Sequence, residues 1–190
     1  MRAFIAIELP QQIKDCLSKL QSKLKSANAD VKWVDPQNIH LTLKFLGEIN
    51  DEQLTRISEA LETVANGMQQ FPVRLSVLGA FPKIDYPRVI WVGIDKGDSQ
   101  IKDIAEELDK KIEKIGIPKE DKEFSSHITI GRLKSASNRT NLVQDLISLE
   151  NKLGGENLEF LVAKITLFKS TLVPLGPIYE VLKIANLKTS

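Results

Sequence analysis

The segments "NIHLTL" at residues 38–43 and "SSHITI" at residues 125–130 carry both histidines of this 190-residue chain, each in the frame His–apolar–Thr–apolar. Side chains alternate faces along a strand, so His40 and Thr42 share one face while Leu41 and Leu43 share the other. His127 and Thr129, set against Ile128 and Ile130, repeat the pattern. Each segment therefore reads as a strand with an imidazole and a hydroxyl about 7 Å apart on one face and a core-facing apolar edge on the other.

The surroundings of the two segments are alike. "FIAIEL" reads as a strand, after which Pro10 opens a helix with the apolar stripe Ile13, Cys16, Leu17, Leu20 and Leu24. "HLTLKFL" is the next strand; after the turn "GEIND" comes a helix capped by Asn50, with Leu54, Ile57, Leu61 and Val64 inside. "FPVRLSVLGAF" closes this half as a strand, and "KIDYP" turns the chain. "RVIWVGI" then begins the cycle again, with a helix through Ile101, Ile104, Leu108, Ile112 and Ile115, the strand "HITIGRL", and a loop and helix start at "SASNRTN". A stripe of Leu142, Leu146, Leu149 and Leu153 ends at Gly154 and Gly155, and "FLVAKITLF" and "IYEVLKIANL" are the last two strands.

The histidines are 87 positions apart, and Ile5 and Trp91, in matching strands, are 86 apart. This agreement predicts an internal repeat: a single domain over 1–190 with halves of roughly 1–85 and 86–190. The expected class is α+β, with a pseudo-two-fold axis bringing the histidine strands to face each other.

Composition narrows the function. Apolar residues make up 42% and charged residues 27%, as in a soluble globular protein. No apolar run reaches the roughly 18 residues a membrane span needs, and "MRAFIAIELP" lacks a signal peptide's apolar length and cleavage site. A cytoplasmic protein with no membrane association is expected. The lone Cys16 excludes an internal disulfide and paired-cysteine zinc motifs, and is expected as a buried core thiol. A net charge of +1 argues against a protein that coats long duplex nucleic acid, so any nucleic-acid contact is small and local.

Imidazole, with an ordinary pKa of about 6.5, lets one histidine stay neutral as a base while the other stays charged as an acid near neutral pH. Threonine hydroxyls donate to phosphoryl oxygens. Two such strands across a groove would hold a small anion among four polar groups and suffice for displacement at phosphorus without a metal. One His-x-Thr is uninformative, because so short a pattern arises easily by chance. Two copies, in a chain with eight threonines, have a chance probability on the order of 10⁻⁴. Two histidines without a local carboxylate or cysteine partner are too few ligands for a closed metal site, and the G-x-S-x-G elbow of a serine hydrolase is absent.

With these motifs the chain resembles the two-histidine HxTx phosphoesterases, and among them the RNA 2′,3′-cyclic phosphodiesterases once called 2′-5′ RNA ligases. The resemblance covers essentially the whole chain: "RAFIAIELP" is similar to the opening strand, "WVDPQNIHLTLKFLGE" to the first motif block, "RVIWVGI" to the middle strand, "FSSHITIGRLK" to the second block and "LFKSTLVPLGPIYEVL" to the C-terminal signature. Ser126 departs from the proline that many members carry before the second histidine. The resemblance implies a bilobal fold with two antiparallel sheets lining a central cleft and helices outside, and a site formed by His40, Thr42, His127 and Thr129. It implies hydrolysis of a terminal 2′,3′-cyclic phosphate to a 2′-phosphate, with His127 as base and His40 as acid and no cofactor. The implied partners are RNA ends or small cyclic nucleotides; a monomer is expected. Two alternatives remain open at this point: reversible 2′-5′ RNA ligation at the same site, and a non-catalytic nucleotide-binding module.

Outer contacts follow from strand parity. Lys44, four residues after His40, is expected on the groove face and able to meet a phosphate. Arg132, five after His127, would turn away unless Gly131 marks a bulge that re-aims it. Phe45 and Phe124 are expected in the core, and Trp91 either in the core or stacked on a base.

Overall fold

In the computed structural model, which describes residues 1–150, 153 and 158–190, apolar alternation and helical stripes organise the described residues into nine strands and four helices. In order these are β1 (Arg2–Glu8), α1 (Gln11–Lys25), β2 (Val31–Trp33), β3 (His40–Glu48), α2 (Asp51–Asn66), β4 (Phe71–Lys83), β5 (Tyr86–Lys96), α3 (Asp98–Glu113), β6 (His127–Leu133), α4 (Arg139–Leu149), β7 (Glu159–Val162), β8 (Lys164–Val173) and β9 (Gly176–Asn186). A 3₁₀ turn, Pro36–Asn38, leads into β3. No helix among the described residues is long and apolar enough to cross a membrane.

The strands form two antiparallel sheets, ordered β3-β1-β8-β9 and β2-β6-β5-β4-β7. Each sheet places a histidine strand beside the strand that opens the same half, and then a strand contributed by the other half: β3-β1-β8 and β6-β5-β4. β4 thus leaves the first half to extend the second sheet, and β8 makes the reverse crossing. The exchange ties both halves into one contiguous apolar core, running from Ile5 and Leu41 through Ile57 and Leu61 to Ile90, Ile104 and Ile128.

The helices follow their sequence signals. Asn50 caps α2 with a capping box: its side chain accepts from the Gln53 backbone N–H, while the Gln53 side chain accepts from the Asn50 backbone N–H. α3 buries Ile101, Ile104, Leu108 and Ile112 of the expected stripe, while Ile115 lies beyond the helix end and is half-buried. The end of the α4 stripe at Gly154 and Gly155 lies outside the described residues.

Three expectations are corrected. "FLVAKITLF" is two strands: β7 pairs with β4, and after Ala163 β8 pairs with β1 in the other sheet. Ile5 and Trp91 do lie in matching strands, but the residue in register with Trp91 is Ala6, which pairs with Thr42 as Trp91 pairs with Thr129. Cys16, expected fully buried, is half-buried and packs against the core.

Candidate active site

β3 and β6 lie against each other where the two sheets meet, without pairing. β2 pairs only with the end of β6, from Gly131 to Leu133, leaving the His127–Ile130 half clear of that partner. The His-x-Thr half of each strand is therefore placed at the junction between the sheets.

Both imidazoles are held in the same way. His40 Nδ1 is 2.7 Å from the Asn38 carbonyl oxygen, and His127 Nδ1 is 2.7 Å from the Ser125 carbonyl oxygen. A carbonyl only accepts, so each Nδ1 carries the proton and each Nε2 is the nitrogen left for chemistry. His40 Nε2 lies 2.9 Å from the Thr42 hydroxyl. Burial, reinforced by the charge of Lys14, holds the His40 imidazole below its ordinary pKa, against the opposing pull of the Asn38 carbonyl. His40 is thus biased toward the neutral form, with the Thr42 O–H donating to Nε2.

Aromatic rings fix the imidazole planes. Phe4 packs on His40 with centroids 4.9 Å apart, and Tyr179 of β9 meets it edge-on at 5.4 Å and 87°. On the other sheet Phe81 meets His127 edge-on at 5.1 Å, and Trp91 stands 6.5 Å away. Trp91 faces the site rather than the core; its indole lies over Gly79, where an added Cβ would come within 2.5 Å of it. Phe124 is half-buried and packs against the core.

The residues beyond each His-x-Thr are set by a pair of bulges. On β3 the register shifts between Thr42↔Ala6 and Lys44↔Ile5, so that Leu43 is the extra residue; on β6 it shifts between Thr129↔Trp91 and Gly131↔Ile90, so that Ile130 is extra. Both extra residues are third after their histidine. Leu43 and Lys44 consequently both turn inward, as do Ile130 and Gly131. The residue fifth after each histidine then emerges on the histidine face: Phe45, 57% exposed, on one strand and Arg132 on the other.

Lys44 is therefore corrected. It is 3% exposed, and its ammonium donates to Asp109 at 2.5 Å and to the Pro118 carbonyl at 2.9 Å, on the far side of the strand from His40. Phe45, expected in the core, takes the place foreseen for Lys44. Arg132 is aimed by the β6 bulge at Ile130, just before Gly131, and its charge reaches across to Tyr179, the ring against His40. Burial raises the Tyr179 phenol, with Arg132 and then Arg2 pulling it down.

Two polar residues that strand parity did not single out hold this geometry. Gln21 of α1, fully buried, donates through Nε2 to the Ile130 carbonyl at 2.9 Å and the Val34 carbonyl at 2.8 Å, clamping the β6 bulge. Asn38 orients His40 through its carbonyl while its side-chain amide donates to the Pro177 carbonyl at 3.0 Å, fixing the β8–β9 hairpin that carries Tyr179. Among the described residues no group of three or more His, Cys, Asp or Glu side chains is placed to hold a metal ion. An open cavity of about 240 Å³ flanks His40, with Phe4, Phe45, Ser170 and Tyr179 among its walls.

The chain as a whole is similar to known proteins. The family model described as LigT like phosphoesterase matches residues 7–91 and again residues 92–179. A protein of Methanocaldococcus jannaschii named RNA 2′,3′-cyclic phosphodiesterase is 37% identical, over 96% of this chain and 99% of its own length. A crystal structure of a Thermus thermophilus protein superimposes with a TM-score of 0.80 at 29% identity, over the whole of both chains. Escherichia coli LigT complexed with 3′-AMP superimposes with a TM-score of 0.81 at 25% identity, over 98% of each chain.

Proposed function

The chain belongs to the LigT-like phosphoesterases, and from that premise we propose that it hydrolyses the terminal 2′,3′-cyclic phosphate of RNA to a 2′-phosphate by metal-independent acid–base catalysis. The observation that carries the reading is the matched pair of imidazoles, each with Nδ1–H on a carbonyl 2.7 Å away and Nε2 left for proton transfer. The 2′,3′-cyclic phosphate named for the Methanocaldococcus relative and the 3′-AMP bound by Escherichia coli LigT support a ribonucleotide as the ligand.

The proposed steps use only the chain's own groups. The cyclic phosphate sits between the two Nε2 atoms, with Thr42 and Thr129 donating to its non-bridging oxygens. His127, neutral, takes a proton from water at Nε2 as the water oxygen bonds to phosphorus. His40, protonated, gives its Nε2 proton to the 3′ oxygen as the P–O3′ bond breaks. Burial depresses the His40 pKa; a bound phosphate anion offsets this by stabilising the imidazolium, and Thr42 is then free to turn its proton toward the phosphoryl oxygen. Phe45 offers an aromatic face to the base, and Arg132 a positive charge to the backbone.

The same reading treats residues 1–190 as one domain with an internal repeat. It is supported by the two matches to the family model, which meet between residues 91 and 92, and by the reciprocal strand order β3-β1-β8 and β6-β5-β4.

The test is incubation of a short RNA ending in a 2′,3′-cyclic phosphate, in excess EDTA, with product separation. A 2′-phosphate formed by wild type supports the reading. A 3′-phosphate product, or turnover that vanishes on chelation and returns with a divalent ion, overturns it.

A further inference from the structure

The cavity beside His40 contains one cation that the proposed chemistry does not use. Arg2 opens β1 on the same face as Phe4, one two-residue step or about 7 Å further along the strand, and lines the cavity together with Phe4, His40, Phe45, Ser170 and Tyr179. Phe4 is the ring packed on His40. The cavity therefore runs from the imidazole, past aromatic walls, to a guanidinium.

That guanidinium differs from the other cations of its sheet. Lys44 pairs with Asp109, Lys164 with Glu8, Lys169 with Glu180 and Lys183 with Glu62. These are the remaining lysines and arginines of β3, β1, β8 and β9, so that among the described residues of this sheet Arg2 is the one cation in no ion pair. It is exposed, with the Ser170 and Tyr179 side chains sharing its cavity. A guanidinium fork with hydroxyl groups nearby, at the end of an aromatic-walled cavity, suits a phosphoryl anion attached to a nucleoside.

We propose that Arg2 binds the phosphate on the 5′ side of the terminal nucleotide, so that the site recognises the end of an RNA chain in preference to an isolated nucleoside cyclic phosphate. The inference rests on the reading under Proposed function. With the cyclic phosphate between His40 and His127 and its nucleoside in the cavity, the 5′ oxygen leaves at the end remote from His40, where Arg2 stands. The ligand class is a phosphate mono- or diester on the 5′ carbon of a ribonucleotide.

The experiment compares kcat/KM for three substrates with the same base: the nucleoside 2′,3′-cyclic phosphate, its 5′-phosphorylated form, and the dinucleotide ending in a 2′,3′-cyclic phosphate. Wild type is expected to favour the two substrates with a 5′ phosphate by about tenfold, the lower end of what a charged hydrogen bond contributes. The preference should reside in KM and shrink as salt is raised. In Arg2→Ala the ratio falls to about one, and Arg2→Lys, which keeps the charge and loses the fork, retains part of it. A preference shown by the dinucleotide and absent from the 5′-monoester assigns the site to a diester within the chain. Wild-type turnover with no 5′-phosphate preference, or a preference that survives in Arg2→Ala, overturns the role of Arg2 and leaves the hydrolase reading standing. No turnover of any of the three substrates overturns the hydrolase reading, and the inference falls with it.

Discussion

His40 and His127 stand in the same relationship to their strands: each directs Nδ1 at the backbone carbonyl two residues upstream, at 2.7 Å in both cases. The bond sets the tautomer of the neutral ring and the aim of Nε2, so each imidazole is oriented by the backbone of the motif that carries it. Replacing either histidine by alanine should therefore remove proton transfer at one end of the reaction, lowering the rate by roughly 10²–10⁴. Steady-state kinetics on the folded variants measures this, and the double variant should lose far less than the product of the single losses, because the two groups act as a unit.

The threonines should matter less than the histidines. Thr42→Ala and Thr129→Ala each remove one phosphate donor, an effect of up to about 10²–10³ in rate, and leave both imidazoles in place. Serine at either position should recover most of the loss. Wild-type rates in both alanine variants would refute the two-strand phosphate cradle.

Lys44 should behave as a structural residue. Its ammonium is buried with Asp109 and the Pro118 carbonyl, so Lys44→Met leaves Asp109 without its cation and should cost about 3 kcal/mol in denaturant unfolding, the lower end for a broken buried pair since Asp109 is partly exposed. The salt dependence of turnover should match wild type. A lysine that met an RNA phosphate would instead flatten that dependence when removed.

The pH profile follows from the direction of the His40 shift. Burial holds the imidazole below its ordinary value of 6.5 in the free protein. As the proton donor, His40 must be charged, so kcat/KM should fall as pH rises through that lowered value. The bound phosphate anion favours the imidazolium, which places the corresponding limb in kcat at higher pH. Separate profiles of the two parameters test this, and an alkaline limb lying higher in kcat/KM than in kcat contradicts it. Because the two sites interact, the limbs report apparent values of the pair.

How much of this was legible in the sequence depended on whether backbone irregularity leaves a mark. The His-x-Thr frames, the α1 and α2 stripes, the α3 stripe as far as Ile112 and the Asn50 cap are local patterns, and they appear in the structure where they were expected. The β6 bulge was readable because Gly131 breaks the run, and it turned Arg132 onto the site. Its partner on β3 has no glycine or proline at Leu43, so simple alternation exchanged the positions of Lys44 and Phe45. "FLVAKITLF" carries no break at Ala163 either; the division into β7 and β8 is imposed by the two sheets competing for its ends. Gln21 did leave a sign, a polar residue within the Leu17–Leu24 apolar stripe of α1, and its clamp on the Ile130 carbonyl explains its place there.

The division of labour between the histidines is the claim on which the mechanism turns, and replacement of the leaving oxygen tests it most directly. A cyclic substrate with sulfur in place of the 3′ oxygen has a leaving group that needs no proton. His40→Ala should recover most of its lost rate on this substrate, while His127→Ala, still lacking the base that activates water, should not. Rescue of His127→Ala alone would reverse the two roles, and rescue of neither variant would contradict acid–base catalysis by the pair.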